Sequence, residues 1–303
     1  KIESKDYKGK VFNLEVEDDN SYISEALAVH NCWTPWFGVF GSMSGFDSLK
    51  DAFQDQTKHI HAIETGLSSD PPMNWRLKEL DNINLVSFSD AHSFWPWRIG
   101  REATVFEFKE LTYDNLIKAI RTGNDLKETV EFFPEEGKYH FDGHRNCGVC
   151  FSPEESKKHN LICPVCKKPL TLGVEFRVEQ LATRPPGKKP DSARPFKSLI
   201  PLMELISAAT GSAVSSQKNW KFYNGLVKEF SNEFNVLLNA PIDKVKRISN
   251  EKIADFVEKN RLQKIKFKPG FDGEYGRPLF DSAMPESSKA KTFRHSQKSL
   301  SDF

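Results

Sequence analysis

No stretch of about 18 consecutive apolar residues occurs, which excludes a membrane-spanning helix and removes a membrane as partner. Cysteine is scarce. There are five in 303 residues, and four of them fall in two tight pairs. An odd, paired set suits a metal site in a reducing compartment better than a disulfide framework, so the chain is read as intracellular and cytoplasmic. No G-x-x-x-x-G-K-[ST] loop is present, so an ATP-driven activity has no phosphate cradle to rest on. The chain has no initiator Met and no basic-then-apolar leader, and its first residue is read as a cut. A dominant charge is also lacking, with 43 Lys+Arg against 42 Asp+Glu. That balance conceals a split. Residues 1–183 carry 21 basic against 29 acidic side chains and residues 184–303 carry 22 against 13, so an anionic partner is sought in the rear part.

What is present is aromatic and apolar enough to fold. Hydrophobic residues make up 38%, with 24 Phe and 6 Trp, and the length suits about two domains. The first residues read as two short strands around a polar turn, Val11–Val16 and Tyr22–Val29, ending in His30-Asn31-Cys32. An Asn side-chain amide can attack its own backbone carbonyl and cut the chain, a neighbouring His can move the proton, and a following Cys offers a thiol nucleophile.

The whole stretch resembles the C-terminal end of an intein, its two last blocks matching Val11–Tyr22 and Leu27–Asn31. The resemblance implies that Asn31 cyclises, that His30 assists, and that Cys32 is the first residue of the host protein. Asn20 stands where many inteins carry a His, and no N-terminal splicing block is found. Residues 1–31 are therefore expected to be a short all-β intein segment, and the chain one half of a splicing precursor whose partner is the upstream half.

From Cys32 onward, strand and helix text alternates, as in parallel α/β folds. Strands are predicted at His59–Glu64, Asn84–Phe88 and Ala103–Phe108, and a helix over Tyr113–Arg121 that stops at Gly123. Asp90-x-His92 after a strand is a pair of divalent-metal donors, and Glu64 at a neighbouring strand end is placed to bridge two ions. An Asp that caps the next turn beside a hydrogen-bonded core His would look the same. His59-x-His61 offers a second imidazole pair if both share one strand face.

The motifs Glu64-Thr65-Gly66-Leu67-Ser68-Ser69-Asp70-Pro71, Met73–Leu77, Ser89-Asp90-Ala91-His92-Ser93 and Gly100-Arg101-Glu102-Ala103 resemble endonuclease Q, a member of the PHP superfamily. The resemblance covers residues 32 to about 280. It implies a distorted (β/α)7 barrel, here lacking its first strands, with Glu64, Asp90 and His92 among the ligands of two or three catalytic divalent metals (Zn²⁺, Mn²⁺ or Mg²⁺). It also implies cleavage of DNA beside deaminated bases. The family's earlier His-x-His ligands are not in this chain, and metal affinity and catalysis are expected only after joining to the upstream half. Arg98 and Arg101 are candidate bidentate phosphate ligands, with an ion pair as the alternative.

Cys147-Gly148-Val149-Cys150 and Cys163-Pro164-Val165-Cys166 form C-x2-C…C-x2-C. Four thiolates at this spacing close a tetrahedral structural Zn²⁺, with His144 and His159 read as spectators. Strand-like text at Tyr139–Phe141 and Leu170–Val178 suggests a zinc ribbon. The expected organisation is thus 1–31 intein segment, 32–135 partial barrel, 136–182 zinc ribbon, 183–285 basic helical domain and 286–303 disordered tail.

In the basic domain, Pro201 opens a helix that ends before Gly211, and Trp220, Tyr223, Val227, Phe230, Phe234 and Leu237 define an apolar stripe on one helix. That stripe is read as core, with base-stacking aromatics as the minority reading. A further helix over Ile242–Val257 presents Lys246 and Arg247 to phosphates or to solvent. In the tail, Gln297-x-x-Leu300-x-x-Phe303 looks like the peptide that docks sliding clamps of the proliferating-cell-nuclear-antigen (PCNA) type: one helical turn would bring Leu300 and Phe303 to one pocket. The leading expectation is a lesion-directed DNA endonuclease. A non-catalytic, clamp-tethered zinc-ribbon DNA-binding module and a PHP-type small-molecule phosphoesterase are the alternatives.

Overall fold

The computed structural model describes residues 28–29, 33, 38–42 and 45–280. The splicing residues His30, Asn31 and Cys32 lie outside the described residues, as do the clamp-like Gln297, Leu300 and Phe303 and nearly all of the segment read as an intein.

Three parallel strands, β1 (Ala28–Val29), β2 (Ala62–Glu64) and β3 (Asn84–Val86), form one sheet in that order. The pairing of β1 with β2 crosses the boundary expected at residue 31. β2 is buried throughout, as a parallel strand covered on both sides must be. Ile63 faces a cluster with Trp33, Phe40, Leu49, Leu77 and Val178, while Ala62 and Val86 face Ile120 and Leu126. Helix α1 (Leu49–Phe53) starts at a Ser48 cap and tightens into a 3-10 helix over Gln54–His59. The strand expected from His59 therefore begins only at Ala62, and His59 and His61 share no strand face. Helix α2 (Pro71–Asn74) follows an Asp70 cap with Pro at its first position, and α3 (Tyr113–Thr122) ends at Gly123 in the left-handed region, φ 73°.

A second sheet pairs β4 (Ala103–Phe106) antiparallel with β5 (Leu126–Glu131), which runs parallel to β8 (Phe196–Ser198). Between the two sheets the ladder is replaced by a hydroxyl: Thr104 Oγ1 accepts from Ser87 N and donates to Ser87 O, both at 2.9 Å. Among the described residues the strands lie in four small sheets that do not close on one another.

The cysteine region holds β6 (Asp142–His144) and β7 (Val149–Phe151), paired antiparallel, then α4 (Pro153–Lys158) with a Ser152/Glu155 capping box. The strand expected over Leu170–Val178 is instead mostly helix. Gly173 starts α5 (Val174–Leu181), whose Val174, Val178 and Leu181 recur at helical spacing and pack against the cluster around Ile63. Tyr139–Phe141 contributes no strand, only a bridge from Phe141 to Phe271.

The rear domain packs α6 (Leu202–Thr210), α7 (Gln217–Phe230), a π-helical turn over Asn235–Asn239, α8 (Ile242–Ile248) and α9 (Glu251–Arg261) around Leu205, Ile206, Leu226, Val245 and Phe256. It closes on the antiparallel pair β9 (Lys266–Lys268) and β10 (Arg277–Leu279). Two helices expected to be continuous are broken. The 220–237 stripe is interrupted at Ser231 (φ 74°), and the predicted Ile242–Val257 helix is two, because Asn250 caps α9 by accepting from Ile253 N at 2.9 Å. Trp220 leaves the core stripe and meets Trp95 and Trp97 instead. Among the described residues no helix is long and apolar enough to cross a membrane.

Candidate active site and metal cluster

Buried acids gather where the strands end. Glu64 closes β2 and Glu131 closes β5, at 3% and 0% exposure, and Glu102 precedes β4 at 2%. Thr65 Oγ1 donates to Glu131 Oε2 at 2.7 Å, while Glu131 Oε1 has no hydrogen-bond partner. Glu102 accepts from Leu67 N through both oxygens, at 2.9 and 3.0 Å, and from Phe132 N at 3.2 Å. It thereby pins the turn after Glu64 to the end of β5. Burial, then the nearby Glu131, pushes Glu102 up to about 8. Burial pushes Glu131 up to about 7, against the hydrogen bond from Thr65. Acids held this way retain protons close to neutrality unless a cation compensates them. Glu102 and Glu131 escaped sequence reading because nothing in their local text separates them from other acids; only the strand ends bring them beside Glu64.

The loop after β3 carries the predicted metal pair. Asp90 sits at φ 41°, and its Oδ1 lies 3.2 Å from His92 Nε2. The His92 side chain is 86% exposed. Asp90 and His92 are thus brought together, but Glu64 does not join them: among the described residues the three do not form a common donor group. A di- or trinuclear centre does not fit these residues alone, and no chemical step is derived through one. Arg101 Nε donates to Ser89 O at 3.3 Å, and its guanidinium stands over the Phe132 ring. Arg98 and Arg101 also lie near Glu204, which burial pushes up to about 7 while the two arginines pull the other way. They face buried carboxyls as well as the loop surface.

In the rear domain Lys246 and Arg247 are exposed on α8. Lys246 Nζ pairs with Glu251 at 2.8 Å, and Arg247 donates to the Asp243 carbonyl.

The cysteines give a metal-donor group of different composition from the one expected. His144, Cys147, Cys163 and Cys166 present ligand atoms all within 4.8 Å of one another, with Cys166 Sγ 3.8 Å from His144 Nδ1. A tetrahedral zinc with bonds of ~2.3 Å to sulfur and ~2.0 Å to nitrogen needs donors about 3.5–3.8 Å apart, so this set fits. Zinc held here would be structural, its four positions filled by protein. Cys150 falls outside the group. It pairs with Gly143 in the β6–β7 ladder, and its thiol, pushed up to about 11 by burial, has Lys268, Glu155 and Asp142 as charged neighbours. His144, read as a spectator, stands at the end of β6 with its ring among the Cys147, Cys163 and Cys166 thiols, so it could supply the fourth donor. His159 stacks on Phe151 at 4.7 Å and stays outside.

Residues 201–264 match a sequence family described as the MJ0043 C-terminal domain. Solved structures extend the likeness over most of the chain. The lesion-specific endonuclease PfuEndoQ of Pyrococcus furiosus superposes with a TM-score of 0.75 at 31% identity, over 83% of this chain and 61% of that one. The mixed α/β fold resembles that of endonuclease Q. An endonuclease Q complex with a 27-mer duplex substrate carrying an abasic lesion at its active site gives a TM-score of 0.72 at 30% identity, over 87% of this chain and 65% of that one. In sequence, the chain is 37% identical over 281 residues to the uncharacterized protein MJ0043 of Methanocaldococcus jannaschii, covering 90% of this chain and 34% of that protein. The uncharacterized protein YqxK of Bacillus subtilis is 28% identical over 249 residues, covering 81% and 58%. The chain therefore spans about a third to two thirds of the length of these relatives.

Proposed function

We propose that the chain is the rear portion of a metal-dependent DNA repair endonuclease, which hydrolyses the phosphodiester 5′ to deaminated bases (uracil, hypoxanthine, xanthine) or abasic sites. It becomes active when protein splicing at Asn31 and Cys32 joins it to an upstream half bearing further metal ligands. The observation that carries this reading is the Asp90–His92 pair, its imidazole exposed on the loop after β3, in a fold similar to that of a lesion-specific endonuclease. Asp90 holds the His92 ring, so that an exposed imidazole meets an approaching phosphate in a fixed orientation. Glu102, through its hydrogen bonds to Leu67 and Phe132, keeps the Glu64 turn in place. The basic rear domain supplies contacts to the DNA backbone through residues such as Lys246 and Arg247, and the tail residues Gln297, Leu300 and Phe303 tether the enzyme to a PCNA-type clamp.

The test is nicking of uracil-, hypoxanthine- or abasic-containing duplex by the joined protein with Mg²⁺, Mn²⁺ or Zn²⁺. Lesion-dependent nicking, lost in D90N and H92A, is expected. No nicking with any of the three ions sinks the reading. Mass spectrometry of the mature product checks the splicing step, which requires residues 1–31 to be absent.

One observation favours a second reading for the chain by itself. Among the described residues the metal donors that converge are those of the Cys/His cluster, as in a non-catalytic DNA-binding module. Salt-dependent DNA binding that survives replacement of Glu64 and Asp90 supports that reading.

A further inference from the structure

The loop that carries Asp90 and His92 also builds a stack of aromatic rings that the chemistry above leaves unused. Phe94, two positions after His92, is 76% exposed and lies on Trp95 with ring centroids 4.8 Å apart. Trp95 lies nearly parallel on Trp97, 4.9 Å and 11°, and Trp97 is backed by Trp220 of α7 at 6.3 Å. The loop is held in shape: the Trp95 carbonyl accepts from Arg98 N and Ile99 N at 2.8 and 3.1 Å. The wall therefore runs from the buried Trp97 to a Phe ring largely exposed to water.

Its place on the chain argues what it stacks. Phe94 follows by two positions the His92 that the reading above sets against a DNA phosphate, so a strand whose backbone reaches His92 brings its bases towards the exposed ring. A row of flat rings at that point matches nucleic-acid bases, which offer π-faces to stack on. We infer that Phe94, supported by Trp95 and Trp97, stacks on an unpaired or gap-flanking base of the DNA next to the phosphate to be cut. The inference rests on the DNA-directed reading above and assigns the surface that senses loss of regular base stacking. At an abasic step the ring takes the space of the missing base, which an intact duplex does not offer.

The test uses the full 303-residue chain, as wild type, F94A and F94W, with three probes: an intact duplex, the same duplex with one abasic site, and the corresponding single strand. Binding is read by anisotropy of labelled DNA. Loss of one base–aromatic stack corresponds to roughly five- to hundredfold in affinity. F94A should lose about tenfold on the abasic and single-stranded probes and less than about twofold on the intact duplex, and F94W should restore both. Equal affinity of F94A and wild type on all three probes overturns the inference and leaves the DNA-directed reading standing. So does an equal loss on all three, because the ring would then not distinguish unstacked DNA. Wild-type chain that binds none of the probes sinks both. Self-association in sedimentation that F94A abolishes, without any effect on DNA binding, assigns the wall to a second copy and overturns the inference.

Discussion

Replacing His144 by alanine is the sharpest test of the metal cluster, because the two readings of the ligand set disagree about it. The C-x2-C pairs propose four thiolates including Cys150, whereas the structure gathers one imidazole and three thiolates. Structural zinc contributes about 10–16 kcal/mol to small zinc folds at neutral pH. One donor in four is then worth roughly 3–4 kcal/mol, or some hundred- to thousandfold in zinc affinity. The local apolar cluster is small: Val149, Cys163 and Leu170, with Cys147, Phe151 and Cys166 against it. A core of that size cannot hold the region without the ion. H144A should therefore lower zinc affinity, measured by chelator competition, by at least about a hundredfold, and should make the cysteine region labile in hydrogen exchange. C150A should retain one zinc per chain with affinity within about tenfold of wild type. If C150A loses the metal while H144A keeps it, the ligand set argued from the 3.8 Å approach of Cys166 to His144 is wrong.

Three further outcomes follow from the geometry. Glu102 and Glu131 hold protons more tightly folded than unfolded, since their folded values of about 8 and 7 stand above the ordinary 4.5. Their contribution to stability is therefore fully present at low pH and is lost as pH rises from about 4.5 to 8, at up to ~1.4 kcal/mol per pH unit per group. E102Q should flatten that slope in urea titrations across the range, and an unchanged slope refutes the assignment. Asn260, fully buried, bridges Ile200 N at 3.0 Å and Ile200 O at 3.1 Å. N260A strands both backbone groups and should cost about 2–4 kcal/mol in denaturant unfolding, whereas a loss below about 1 kcal/mol contradicts the bridge. Combined replacement of Lys246 and Arg247 by alanine should reduce the salt dependence of DNA binding by about 0.9 in slope for each phosphate that the pair neutralises. An unaltered slope places the backbone-binding cations elsewhere.

The elements that local chemistry determines were readable in advance. The α3 stop at Gly123 and the α6 limits at Pro201 and Gly211 follow from backbone restrictions that no tertiary contact overrides. So did the closeness of Asp90 to His92, which two-residue spacing nearly guarantees. Reading failed where a signal was outvoted by a longer pattern. The apolar stripe from 220 to 237 hid the break at Ser231, and charged text through 242–257 hid Asn250, a good cap with its first turn in plain view. Tertiary placement was not legible at all. Nothing local says that Glu131 lies beside Thr65, that Trp220 turns to Trp97, or that His144 rather than Cys150 completes a donor group.

The segment around Gly270–Gly276 has a consequence for how the molecule is made. Gly270 N donates to Glu135 O, Gly273 N to Lys138 O and Gly276 N to Glu136 O, at 2.8, 3.0 and 3.1 Å, and Arg145 N donates to Asp272 Oδ2 across a separation of 127 residues. A side chain at Gly270 or Gly276 would collide with the backbone of Gly137 or Glu135. The stretch from Glu135 to Arg145 thus obtains this set of partners only after well over a hundred more residues have been made, although its pairings with β7 and with Thr171 to Glu175 lie much nearer in sequence. A nascent chain stalled before residue 270 therefore leaves these backbone groups without those partners, open to proteases and chaperones.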